Sequence, residues 1–173
     1  MAKHLYRADV SWRCSGDFSA NAYSRGHQWS FDGGITVPAS ASPTVVPLPA
    51  SVEAAIDPEE AFVAAISSCH MLWFLDLARR DGLEVASYTD RAEGRMERVA
   101  PGKMAVTHVA LRPEVVFSGD VLPDADRLED LHHKAHEACF IANSVKSEIV
   151  IEALPARLAQ DRHDDDQDDR QGA

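Results

Sequence analysis

Residues 57–82 read DPEEAFVAAISSCHMLWFLDLARRDG. Asp57 suits an N-cap, Pro58 suits the first helical position, and Glu60 completes a capping-box pattern. The body from Ala61 to Ala78 is apolar nearly all round, the mark of a central, buried helix. Phe62, Ile66, Cys69, Trp73 and Leu77 follow helical spacing along one stripe. Arg79 and Arg80 complement the negative end of the helix dipole, and Gly82 ends the helix. The spacing predicts one helix from Asp57 to Asp81.

The flanking sequence reads as strands. Residues 5–12 alternate, with a hairpin turn expected at Ser15-Gly16-Asp17. Gly26–Phe31 forms a second run, closed by Asp32-Gly33-Gly34. Val37–Pro49 holds four prolines, which predicts an ordered loop with Val45, Val46 and Leu48 to bury. Beyond the helix, strands are expected at Glu84–Glu97 and Lys103–Phe117, joined by Pro101-Gly102 and bent at Pro113. A second helix is expected over Asp124–Asn143, on the stripe Leu128, Leu131, Ala135, Ala138 and Ala142. Val145–Leu154 alternates as a last strand. This order gives an α+β class, with one domain over residues 1–158. The aspartate-rich segment 159–173 is expected to be a disordered, solvated tail.

With 17 Lys and Arg against 28 Asp and Glu, the formal net charge is −11. Such a chain is poorly suited to nucleic-acid backbones or anionic membranes. The mostly apolar stretch 61–75 contains Ser67, Ser68, Cys69 and His70, so it reads as too short and too polar to span a bilayer. With no export signal at the N-terminus, the cytoplasm is the expected compartment, where three cysteines point to reactive, metal-bound or buried thiols.

Cys69 and Cys139 fall on the two expected helices, and neither belongs to a CxxC pair. One reading of both is as small core hydrophobes. Against that, Ser67, Ser68 and His70 place polar groups inside an apolar helix, and His132, His136 and Cys139 share a face at i, i+4, i+7. Buried polar groups need partners, which points to a site. A thiolate is the nucleophile that attacks a peroxide or a disulfide, and it needs nearby positive charge. Arg25 is the candidate for that charge, and Glu59 is a carboxylate to orient it. The rival use is a metal site built from His132, His136 and Cys139, with Cys69 or His70 as fourth ligand. Cys14, beside a turn, reads as incidental. Nucleotide-binding and serine-hydrolase motifs are absent.

Asp57-Pro58-Glu59-Glu60-Ala61-Phe62, Ser67-Ser68-Cys69-His70 and the run from Ala135 to Val145 (AHEACFIANSV) resemble the two signature regions of the OsmC/Ohr family. The resemblance covers about residues 4–154. It departs from the usual pattern at Phe140, where Pro is common, and at Ala142, where Ser is common. It implies an intertwined homodimer of α+β fold and a thiol-dependent peroxidase that reduces organic hydroperoxides without a cofactor or metal. By that resemblance Cys69 is the peroxidatic thiolate, Cys139 the resolving thiol and Glu59 the Arg-binding glutamate, with Arg25 as the chosen arginine. A dithiol reductant would restore the thiols. Trp73, Phe74 and Phe140 are candidate walls of a substrate channel, with ordinary core packing as their alternative, and His70 and His136 are candidate tuning residues. A metal or small-molecule binding protein of the same fold is the other function considered.

Overall fold

The computed structural model describes residues 3–159, so the expected acidic tail lies outside the described residues apart from Ala159. The chain forms two compact units, each discontinuous in sequence. The first comprises the chain up to Ser67 with Glu93–Val109 and Lys146–Glu148. The second comprises Ser68–Ala92, Ala110–Val145 and the segment from Ile149. The fold is α+β, with two α-helices and sheets that are mainly antiparallel.

In the first unit, β1 (Ala8–Ser11) precedes a short hairpin of β2 (Gly16–Asp17) and β3 (Ala22–Tyr23). The turn lies between these strands rather than at 15–17. Asn21 supplies its positive φ of 56°, and the Asp17 carboxylate accepts from the Ala20 N–H at 3.1 Å. Gly16 itself sits in the strand, where a Cβ would stand 2.2 Å from the Ala22 carbonyl oxygen. Strand β4 (His27–Phe31) pairs antiparallel with β1 and with β5 (Thr36–Ala39), in the order β1-β4-β5.

Strand β5 was expected to be loop because of Pro38. It lies at the sheet edge, where a proline's missing N–H is tolerated. The loop beyond is ordered as expected, but by hydrogen bonds rather than by burial. Val45 and Leu48 are exposed, whereas the buried Ser40 accepts from the Val52 N–H at 2.9 Å and donates its own N–H to the Ile56 carbonyl.

Helix α1 (Pro58–Arg80) begins as the capping pattern predicts. The Glu60 N–H donates to Asp57 Oδ1 at 2.7 Å, and the Asp57 N–H donates to Glu60 Oε2 at 3.1 Å. Its fully buried residues are Ile66, His70, Phe74 and Ala78, one row at i, i+4 spacing. Of the expected stripe only Ile66 belongs to that row. Phe62, Cys69, Trp73 and Leu77 are half-buried, and Leu72 is exposed. A helix apolar on every side carries no signal for which row the fold covers. Length and composition would let α1 cross a membrane, with a mean hydropathy of 1.6, so the sequence argument from shortness fails. Its place in a packed core makes it a core helix.

Each long strand segment after α1 splits in two. Strand β6 (Glu84–Asp90) pairs antiparallel with β9 (Pro113–Ser118), with a bulge between Val85 and Ser87. Strands β7 (Glu93–Ala100) and β8 (Lys103–Leu111) lie in a different sheet with β10 (Glu148–Ile151), ordered β10-β8-β7. Within the first unit, Gly94 of β7 lets α1 come close, since a Cβ there would meet Val63 Cγ2 at 2.5 Å.

In the second unit, α2 (Ala125–Ala138) starts at Asp124, whose carboxylate accepts from the Arg127 N–H at 2.9 Å. Phe74, Ala78, Leu83, Val115, Phe117, Leu128, Leu131 and Ala135 form one buried cluster from α1, α2, the residue before β6, and β9. A short β11 (Arg157–Leu158) runs parallel to β9; no sequence signal announced it.

Candidate active site

Helix α2 ends at Ala138, five residues earlier than its expected end at Asn143. Cys139 is the C-cap, in an extended conformation (φ −65°, ψ 113°). The Asn143 side-chain amide explains the stop. Its Nδ2 donates to the carbonyls of Glu137 at 2.8 Å and Cys139 at 3.0 Å, taking up helix-terminal acceptors. Ser144 Oγ donates to the Phe140 carbonyl at 2.7 Å, and residues 142–144 form a 3-10 turn. Asn143 and Ser144 thus fix the cysteine. Both lie in the run AHEACFIANSV, yet a stripe-based reading absorbs them into the helix.

Cys139 is fully buried and Cys69 half-buried, and both are free thiols. The Ala142 N–H donates to Cys139 Sγ at 3.4 Å. Burial pushes the Cys139 thiol up, the Ala142 N–H partly offsets this, and the Cys69 side chain, within hydrogen-bonding reach, adds to the rise. Cys69, seventy positions away in sequence, is thus close enough to act on Cys139. Cys139, buried and with its thiol pushed up, is held as a neutral thiol.

Around them, the Trp73 and Phe140 rings meet edge-on, with centroids 5.4 Å apart, and Phe140 is 65% exposed. Phe74 does not join this surface. It is fully buried in the core cluster, stacked 4.3 Å from the His132 ring and tilted against Tyr88. Its place is ordinary core, not a channel wall.

His70 follows Cys69 but faces the buried row, as a one-residue step on a helix turns about 100°. His70 Nε2 and His132 Nδ1 are 3.0 Å apart, and both residues are buried. Burial, then the neighbouring His136, pulls His70 down to about 4; burial, then His70, pulls His132 down to about 3. Both imidazoles are neutral near pH 7. The nitrogens His70 Nδ1, His132 Nε2 and His136 Nδ1 are buried without partners. Sequence reasoning put His132 on a ligand face with Cys139; the structure turns its Nδ1 to His70. Among the described residues, no group of three or more His, Cys, Asp or Glu side chains is arranged to hold a metal ion.

Arg25 and Glu59 belong to the first unit. The Arg25 guanidinium lies 3.6 Å above the Tyr23 ring and donates to the Tyr23 carbonyl and to Asn21 Oδ1. No ion pair joins it to Glu59 among the described residues, so the expected Arg–Glu contact is replaced by contacts within the β2–β3 hairpin. Glu59 is half-buried beside Phe62, Met96 and Met104. Cys14 is exposed, its thiol 3.6 Å from the Gly16 carbonyl.

Residues 51–153 match the OsmC-like protein family. An OsmC-like protein of unknown function from Vibrio cholerae O1 biovar eltor is 55% identical with a TM-score of 0.85, over 88% of this chain and 100% of that one. Two more distant structures share the fold. An organic hydroperoxide resistance protein from Elizabethkingia anophelis is 16% identical (TM-score 0.58; 92% of this chain, 100% of that one). Another, from Legionella pneumophila, is 16% identical (TM-score 0.57; 91% and 100%). No curated protein matches.

Proposed function

The chain belongs to the OsmC family, and from that premise we propose that it is a cytoplasmic thiol-dependent peroxidase that reduces organic hydroperoxides. One observation carries the reading: a half-buried thiol, Cys69, stands within reach of a fully buried one, Cys139. The first is partly exposed, as a thiol that meets substrate must be, and the second is buried, as suits a resolving thiol.

The Cys69 thiolate attacks the terminal oxygen of ROOH. The O–O bond breaks, and with one proton the products are ROH and the Cys69 sulfenic acid. The Cys139 thiol then condenses with the sulfenic acid, forming the disulfide and releasing water. A dithiol reductant returns both thiols by exchange and leaves as its own disulfide. The raised Cys139 keeps its proton until that second step, so the two sulfurs do not compete for the peroxide. Trp73 and Phe140 form the apolar border that suits an alkyl or aryl hydroperoxide. The family resemblance assigns thiolate activation to Arg25, whose guanidinium is held here by Tyr23 and Asn21 rather than by Glu59; Arg25→Lys, which keeps the charge but not the guanidinium fork, tests that assignment by the rate of the first step.

We also infer a homodimer. Leu5, Tyr6, Val10 and Ile35 of the first unit are exposed, as is Leu72 of α1, and 22% of the most apolar window of α1 is buried. A second copy of this chain is the occupant assigned to those surfaces.

Stopped-flow mixing of reduced protein with cumene hydroperoxide, beside hydrogen peroxide, tests the activity. Fast consumption of the organic peroxide and a Cys69–Cys139 disulfide by mass mapping are expected. Cys69→Ser should abolish turnover. Cys139→Ser should allow one reduction and leave a trappable sulfenic acid. Full steady-state turnover in either variant would sink the scheme.

A further inference from the structure

The peptide of Cys139 is held at both ends. Its N–H donates to the His136 carbonyl at 3.2 Å. Its carbonyl accepts from the backbone N–H and from the side-chain Nδ2 of Asn143, each at 3.0 Å. The same Nδ2 donates to the Glu137 carbonyl at 2.8 Å. One side-chain nitrogen thus ties the last turn of α2 to the residue at which the chain leaves the helix, at φ −65° and ψ 113°. Any residue but proline supplies a backbone N–H. The side-chain tie needs a short group with two N–H donors, which asparagine has and its isostere aspartate lacks.

Held in this way, the Cys139 sulfur lies 3.4 Å from the donating Ala142 N–H, and the Cys69 side chain is close enough to act on it. Asn143 is exposed and is no part of the buried cluster, so its amide places the Cys139 peptide rather than filling the core. A disulfide forms only in a narrow geometry. Two thiols kept near that geometry react as one unit, without the entropy cost of a search.

We propose that Asn143 is a positioning residue for disulfide closure: its side-chain amide fixes the Cys139 peptide so that the sulfur stands ready for Cys69. The role rests on the two-thiol reading above but not on a hydroperoxide as the oxidant.

Oxidised glutathione, in place of a hydroperoxide, tests it on the reduced full chain. The Cys69 thiolate attacks one glutathione sulfur, forming a mixed disulfide and releasing one glutathione thiolate. The Cys139 thiol then displaces the second glutathione, and the Cys69–Cys139 disulfide closes. The protein dithiol is oxidised, and the glutathione disulfide is reduced to two thiols. Acid quenching and mass mapping time the two steps and separate them from any adduct at the exposed Cys14. In Asn143→Ala the first step should stay within about twofold of wild type while closure slows about tenfold, the scale of one or two neutral hydrogen bonds. The Cys69 mixed disulfide should accumulate. Asn143→Asp, which keeps the shape but loses the donors, should slow closure at least as much. A merely structural amide would lower resistance to urea and leave the ratio of the two steps unchanged, and that result would overturn the proposal. So would closure at the wild-type rate in Asn143→Asp, or no Cys69–Cys139 disulfide in the wild-type chain. A wild-type chain inert to cumene hydroperoxide, with glutathione-driven closure still slowed in Asn143→Ala, would overturn the peroxidase alone and support the role of Asn143.

Discussion

In the second unit, apolar residues from α1, α2, the residue before β6, and β9 close on one another, and Phe74, Phe117 and Ala135 have no exposed surface. In the first unit, the fully buried apolar residues are Ala39, Ile66 and Val109, while Leu5, Tyr6, Val10, Ile35 and Met104 are each more than half exposed. The second unit thus has a buried cluster of its own, while the large apolar side chains just named in the first unit are exposed. The homodimer proposed above would cover the exposed residues of the first unit. Both thiols belong to the second unit, Cys139 fully buried and Cys69 half-buried on α1.

The largest test of this contrast is mass. Sedimentation equilibrium at micromolar protein should give twice the chain mass, and the double variant Val10→Glu/Ile35→Glu should shift it to the chain mass. A wild-type monomer at all concentrations would break the comparison, because the outward side chains would then have no partner. The next test compares single substitutions. Phe117→Ala, in the closed core, should cost about 3–5 kcal/mol in denaturant unfolding. Ile35→Ala, 65% exposed in the single chain, should stay within about 0.5 kcal/mol if the chain is monomeric. A cost well above that, growing with protein concentration, would show the interface directly.

Much of this arrangement is legible in the sequence where local chemistry dictates the outcome. The start of α1 follows from Asp57, Pro58 and Glu60, because a capping box is decided within four residues. What stayed illegible depends on contacts distant in sequence. The buried row of α1 was misassigned because all its faces are apolar, and only the residues packed on it select Ile66, His70, Phe74 and Ala78. The end of α2 was misplaced because Ala142 continues the apolar stripe, whereas the Asn143 amide turns back to the Glu137 and Cys139 carbonyls. The pairing of the thiols rests on family resemblance rather than on spacing, and the Cys69 side chain is among the groups that raise the Cys139 thiol. The partner of His70 lies sixty-two positions away and was read as a ligand instead.

That histidine pair gives the smallest effect and the sharpest probe of the closed unit. In the folded chain His70 is held at about 4 and His132 at about 3, against 6.5 for a free imidazole. The unfolded chain therefore binds protons that the folded chain refuses between pH 6.5 and 4. Stability is fully present above pH 6.5 and declines as the pH falls through this window. Near the middle of the window each histidine adds a slope of up to about 1.4 kcal/mol per pH unit. His132→Phe, which keeps a ring stacked on Phe74, should remove about half of that slope in urea melts taken from pH 7 to pH 4.5. An unchanged slope would mean that His132 takes up its proton in the folded chain as readily as in the unfolded one, and hence that water enters the core of this unit. A slope lost in part, with Phe117→Ala equally costly at both ends of the range, would keep the core closed and assign the pH response to the two imidazoles alone.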